Sequence, residues 1–194
     1  KAVGGETKLF PGDVLLYNWP FGSGSHPQDA VVIMPVFLDD QELIGYTAVK
    51  AHWLDIGAKA PYCSDTTDVF QEGTIFPGVK LYKRGELNDD IYRMVLANSR
   101  LPKVVAGDLK GQVNGCRVGA AGYLEVVKRF GLAQFQIAVA HMFDHGEKIV
   151  RSYLQEIPDG RYVGQGEMDD NGVTSDRIPF EIAVEVSGSN IRID

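Results

Sequence analysis

The apolar positions change period twice along the chain. Through about Tyr82 they fall in short runs rich in β-branched and aromatic side chains: Val14–Tyr17, Ala30–Leu38 (AVVIMPVFL) and Leu43–Lys50 (LIGYTAVK). Such runs predict strands. The four residues 39–42 separate the last two runs and predict a hairpin. Pro35 has no N–H to give a ladder, so its strand is expected at an edge or with a bulge. From about Asn88 to Ile157 the period lengthens to three or four residues, which predicts helices. The first covers IYRMVLANSR, capped by Asn88 or Asp89 and ended by Pro102. The second covers Val104–Phe130, with Val105, Leu109, Val113, Ala120, Leu124 and Val127 on its apolar face. Gly131 stops it, and a third covers Ala133–Ile157. On the second helix Gly107, Gly111, Gly115 and Gly119 recur every four residues. Each costs roughly 1 kcal/mol relative to alanine, so the ridge predicts a second backbone packed close against it.

The chain then returns to strand patterns at Tyr162–Glu167, Ile178–Val186 and Ile191–Ile193, and FEIAVEV alternates as a half-buried strand does. Asp169–Ser175 reads as a loop. Strands, then helices, then strands predict an α+β fold rather than a doubly wound parallel sheet, in a single domain over 1–194.

Composition narrows the function classes. With 194 residues, 44% apolar and 23% charged, the chain is ordinary globular protein and not a disordered polymer. Nineteen basic against 26 acidic residues leave a charge of -7, which repels phosphate backbones and argues against nucleic acid as a partner. No apolar run approaches the roughly 18–20 residues of a membrane span, so no membrane partner is expected. KAVGGETK lacks the apolar segment of a secretory signal. Cys63, in a polar turn, and Cys116, in a helical pattern, make no disulfide or zinc framework. They read as reduced thiols in a cytoplasmic protein.

The candidate chemistry lies around the hairpin. His26-Pro-Gln-Asp29 precedes its first strand, and His52-Trp-Leu-Asp55 follows its second. If Leu38 pairs with Leu43, antiparallel register sets Asp29 opposite His52, with Cβ atoms about 5 Å apart on one face. His26 can fold back from its loop. Two imidazoles and a carboxylate at a strand end suit a divalent ion such as Mn²⁺, Zn²⁺ or Fe²⁺, with coordination positions left open. A hydrogen-bonded His–Asp pair without metal is the plainer alternative. His141 and His145 stand one turn apart on the third helix, but no third ligand is evident and they read as a surface pair. The loop Phe21–Ser25 lacks the G-K-[ST] ending of a P-loop, and no dinucleotide fingerprint is present.

Several segments in order across the chain resemble the hydantoinase B/oxoprolinase family. They include Pro11-Gly-Asp13, Gly24-Ser-His26-Pro-Gln-Asp29, Ala51-His52-Trp-Leu-Asp55-Ile-Gly57, Gln71-Glu72-Gly73, Asn98-Ser-Arg100 and Ile157-Pro-Asp-Gly-Arg-Tyr162. Family subunits are several times longer, so the resemblance implies an internal fragment. It also implies a hydantoinase A-like partner subunit that holds ATP and Mg²⁺, and a small-molecule substrate. The activity implied is ATP-driven opening of cyclic amides such as hydantoins and 5-oxoproline, or carboxylation of ketones as in the acetone and acetophenone carboxylases. In the acetone carboxylase branch the matching motifs bind manganese, which carries over to His26, Asp29 and His52. Many members read A-H-H-A-D where this chain has Ala51-His52-Trp53-Leu54-Asp55, so the second histidine is replaced by Trp53.

Three readings follow. In a cyclic amidase, the partner's ATP phosphorylates the amide oxygen, and water activated by the metal, or a carboxylate such as Asp55 or Glu72, promotes attack. In a carboxylase the same metal holds the enolate or the CO₂ source. In a scaffold the chain docks its partner and binds no metal. Arg100 is a candidate for holding a substrate carboxylate, although an arginine in such a turn also pairs readily with a local acid.

Overall fold

The computed structural model describes residues 8–23, 26–61 and 63–194. Gly24 and Ser25 of the glycine-serine loop, Tyr62 beside Cys63 and the first seven residues lie outside the described residues. The sequence is read as one domain over 1–194; its packing separates two compact units, 1–125 and 126–194.

The first unit contains β1 (Val14–Tyr17), a one-turn helix α1 (Pro20–Ser23), β2 (Asp29–Leu38), β3 (Glu42–His52), a 3₁₀ turn (Val69–Glu72), β4 (Pro77–Lys83), β5 (Glu86–Leu87), α2 (Asp89–Ala97) and most of α3 (Pro102–Phe130). The strands form one antiparallel sheet in the order β3-β2-β1-β4-β5. Pro35 is therefore not on an edge strand. It lies past the last residue of β2 that pairs with β1, Ile33, and next to a register shift between Val36 and Phe37. Only β3 flanks the strand there, so the missing N–H breaks no ladder on the β1 side. β4 and β5 are not among the predicted strands, because PGVKLYK is short and opens on two turn-forming residues. Pro102 begins α3, where its missing N–H is no loss, and α2 already ends at Ala97.

One face of this sheet carries the core. Leu16, Ala30, Val32 and Leu81 pack with Val105, Leu109, Val113 and Cys116 of α3, and Trp53 and Phe76 close the end of the cluster. The predicted glycine ridge is half used. A Cβ on Gly115 would stand 3.1 Å from Val49 Cγ2, and one on Gly119 would stand 3.2 Å from Thr47 Cγ2, so these two let α3 approach β3 closely. Gly107 and Gly111 have nothing within 4 Å among the described residues.

The second unit contains the end of α3, α4 (Leu132–Leu154), and an antiparallel sheet of β6 (Gly160–Met168), β7 (Ile178–Ser187) and β8 (Asn190–Ile193). Arg151 of α4 donates to Ser189 O and Asn190 Oδ1, each at 3.0 Å, and so ties the helix to the β7–β8 turn. The predicted half-burial of β7 is not reached: only Ala183 and Val186 are buried. His141 and His145 are both exposed on α4. No helix among the described residues is long and apolar enough to cross a membrane. The fold class is α+β, as the pattern of elements predicts.

Candidate metal centre

The hairpin brings the histidines together. Asp29 opens β2 and lies directly across from His52, the last residue of β3. Side chains alternate across a sheet, so Ala30, Val49 and Ala51 face the core while Asp29, Lys50 and His52 share the opposite face. His26 sits one turn before β2, and that turn is closed by Asp29 N donating to His26 O at 3.0 Å. Asp29 Oδ1 lies 3.4 Å from His26 Nε2 and 3.3 Å from His52 Nδ1. One ligand atom from each of the three residues lies within 4.8 Å of the others. The two imidazole rings are 4.9 Å apart. Lys50 Nζ holds the other Asp29 oxygen at 2.9 Å.

Glu72 joins the same group from far along the chain. Its Oε2 is 3.8 Å from Nδ1 of His26, the ring nitrogen turned away from Asp29. Long-range bonds carry it there. Thr74 N donates to Ile56 O at 2.9 Å, and Lys59 N to Gln71 O at 2.7 Å, folding the segment after His52 back on itself. Buried Asn18 then bridges the two loops through its amide, with Nδ2 donating to Pro27 O at 2.7 Å and to Thr74 O at 2.9 Å. Asn18 Oδ1 accepts from Phe76 N. Gly73 makes the turn after Glu72 at φ 116°, a left-handed conformation in which a Cβ would stand 2.6 Å from Ile56 Cγ1.

Asp55 and Arg100 stand apart from this cluster and bind each other. Asp55 has a fully buried side chain, and its oxygens accept from Arg100 Nη2 at 2.5 Å, Arg100 Nε at 3.0 Å, Arg100 N at 2.5 Å and Gly57 N at 3.2 Å. The Arg100 guanidinium, together with those backbone N–H groups, overcomes the effect of burial and holds the Asp55 carboxyl down at about 2. A carboxylate so held is a poor proton acceptor at neutral pH. Arg100 Nη2 also donates to Ala58 O at 3.0 Å, so the guanidinium braces the loop that follows His52.

Trp53, the residue after His52, points the other way. It is 0% exposed, in the core, and its indole N–H donates to Gln112 Oε1 of α3 at 2.6 Å. Sequence reasoning missed Lys50, Asn18 and Gln112. Only Lys50 left a signal, since two residues before His52 on a strand is the same face.

The donor set is two imidazole nitrogens and one carboxylate oxygen, which fits a borderline divalent cation with positions left open. Glu72 behind His26 matches the carboxylate partner that ligating histidines commonly have.

Comparison with known proteins agrees with the sequence motifs. The family model described as "Hydantoinase B/oxoprolinase" matches residues 1–194. A candidate D-/L-hydantoinase B-type polypeptide from Pseudomonas sp. (strain NS671) is 35% identical over 191 residues, covering 94% of this chain and 32% of that protein. The beta polypeptide of the Pseudomonas jessenii caprolactamase is 32% identical over 188 residues, covering 96% and 32%. The crystal structure of the ATP-dependent caprolactamase from Pseudomonas jessenii superposes with a TM-score of 0.86 at 30% identity, covering 96% of this chain and 32% of that one. A nucleotide-free acetone carboxylase shares the fold with a TM-score of 0.82 at 20% identity, covering 97% and 27%. The chain thus spans about a third of the length of these two Pseudomonas relatives. With its whole length matched by the family model, the chain belongs to the hydantoinase B/oxoprolinase family.

Proposed function

We propose that His26, Asp29 and His52 hold a divalent cation, and that the chain is the metal-holding part of an ATP-dependent cyclic amide hydrolase whose ATP and Mg²⁺ sit on a hydantoinase A-like partner subunit. The observation that carries this reading is the convergence of the three ligand atoms within 4.8 Å at the open end of a hairpin. A divalent cation there would supply Lewis-acid polarisation of a carbonyl or phosphoryl oxygen and would favour ionisation of nearby water. The chain's own residues have separable tasks. Asp29 offers one oxygen to the cluster while Lys50 holds the other. Glu72, drawn to Nδ1 of His26, keeps that ring turned with Nε2 toward Asp29, so its role is orientation rather than proton abstraction. Arg100 and Asp55, bonded to each other, act as a brace of the loop after His52 rather than as a substrate clamp or a base.

The amide side of the family is favoured over the ketone side. The relatives at 35% and 32% identity carry hydantoinase and caprolactamase names, whereas the resemblance to acetone carboxylase, at 20%, extends only to the fold. Net reaction would add water across the ring C–N bond, coupled to ATP hydrolysis on the partner.

Elemental analysis of the purified full-length protein beside an Asp29→Ala variant tests the reading. About one equivalent of Mn, Zn or Fe, lost in the variant, is expected for a three-ligand site. No metal in either sample after reconstitution with Mn²⁺ and Zn²⁺ overturns it in favour of a docking scaffold.

A further inference from the structure

Helix α3 lies along the β2–β3 hairpin on the face opposite the ligands, and it is bonded to the hairpin at three levels. At the tip, Tyr123 OH donates to Ile44 O at 2.9 Å. In the middle, Cys116 Sγ reaches Val32 O at 3.3 Å, and Thr47 Oγ1 donates to Cys116 O at 3.0 Å. At the end that bears Asp29 and His52, the contact is Gln112. The spacing is consistent: eleven helical residues from Gln112 to Tyr123 and five strand residues from Val49 to Ile44 each cover about 16 Å. The helix therefore runs in step with the hairpin.

Gln112 is 4% exposed and its amide is fully used. Nε2 donates to Ala30 O on β2 and to Val49 O on β3, each at 2.9 Å. Oε1 accepts the indole N–H of Trp53 at 2.6 Å. Ala30 follows Asp29, and Trp53 follows His52. Trp53 N and Ala30 N both donate to Gln28 O, at 2.8 and 2.9 Å, which joins the two strand ends across the base of the site. A single buried side chain thus fixes the backbone immediately beside two of the three ligands, from both strands at once. No apolar residue of the same size could replace these bonds, and each buried group left unpaired would favour a shift of its strand.

We propose that Gln112 is a positioning residue of the metal centre, setting the separation of Asp29 and His52 through Ala30, Val49 and Trp53. This inference rests on the metal reading above. Its test is the affinity of the full-length protein for Mn²⁺, followed by electron paramagnetic resonance of the free ion, in wild type and in Gln112→Met, Trp53→Phe and Val113→Ala. Gln112→Met keeps the side chain's length but removes all three bonds, and about a 10- to 100-fold weaker Kd is expected, as for other partners that orient ligands. Trp53→Phe removes only the indole donor and is expected to weaken Mn²⁺ several-fold. Val113→Ala, a buried neighbour with no bond to the hairpin end, should lower the melting temperature and leave the Kd unchanged. Wild-type affinity in Gln112→Met, or equal weakening in Val113→Ala, overturns the assignment and leaves the metal reading intact. If Gln112→Met does not fold, unchanged affinity in Trp53→Phe overturns it. Wild-type protein that binds no Mn²⁺ overturns the metal reading itself.

Discussion

Arg100→Met offers a direct way to separate a brace from a substrate contact. In the wild type the Asp55 carboxyl falls from 3.8 to about 2, chiefly because of Arg100. At about 1.4 kcal/mol for each factor of ten, the whole depression corresponds to roughly 2.5 kcal/mol of folding free energy at neutral pH. Arg100 is 46% exposed, so water screens part of the attraction. The backbone N–H groups of Arg100 and Gly57 remain in the variant and keep a further share. The side chain's own share is then the larger part of that depression but less than the whole, enough to lower the melting temperature by several degrees for a chain of this length. Because the folded carboxyl is the stronger acid, this stabilisation is complete above about pH 4, where an unfolded aspartate ionises. It is lost as the pH falls through about 2. Urea melts of wild type and variant from pH 7 down to pH 2.5 should therefore show a gap that is constant near neutrality and narrows below pH 4. A gap unchanged at pH 2.5 would refute the electrostatic account. Undiminished stability at pH 7, with a raised KM for an anionic lactam, would restore Arg100 as a substrate residue.

Other perturbations test neighbouring parts of the argument. Lys50→Met removes the cation that shares Asp29 and should tighten Mn²⁺ binding about three- to tenfold by relieving repulsion, measured by calorimetry at constant ionic strength. Glu72→Gln keeps the side chain's size but releases His26; Mn²⁺ affinity should weaken about tenfold while the melting temperature stays within a degree or two, whereas a general base would lose turnover with affinity intact. Gly73→Ala forces a Cβ into a left-handed turn and against Ile56, and should cost about 2–4 kcal/mol in chemical denaturation, with Glu72 displaced from His26.

The three long helices, β1, the β2–β3 hairpin and β6–β8 were legible because their signals are local: apolar period, short β-branched runs, Gly131 at φ 83° between α3 and α4. The one-turn α1 falls in a stretch that reads as loop, and Asn88 stands at the N-cap of α2 without capping it, its amide donating to Lys80 O instead. β4, β5 and the loop that carries Glu72 were not legible, because their places are set by partners far along the chain. Asn18 binds Thr74 and Phe76, and Ile56 binds Thr74, contacts that no local pattern announces. Gln112 is hidden for the same reason. On the helical period it is one more polar residue beside an apolar face, and its value lies in carbonyls of Ala30 and Val49.

The pairing of Asp29 with His52 follows from the sequence through a premise that the structure corrects. The expected starting pair, Leu38 with Leu43, is not formed; Leu38 faces Glu42, and Phe37 faces Leu43. Asp39 and Asp40 both take positive φ, at 50° and 58°, the twist a tight hairpin turn prefers. That turn alone would carry the register one residue out and set Asp29 opposite Ala51, whose side chain faces the core. Ile44 is the extra residue that restores it, bulging between the Leu43–Phe37 and Gly45–Val36 pairs. Tyr123 donates to the Ile44 carbonyl, and its hydroxyl lies 2.8 Å from where a Cβ on Gly45 would stand, so the bulge is held from α3. The same helix fixes the register at the tip through Tyr123 and at the Asp29–His52 end through Gln112. A one-residue slip would turn His52 into the core and bring Trp53 out of it. The buried indole at position 53 thus makes the wrong register expensive, because a large apolar ring would have to leave the core and its N–H would lose Gln112.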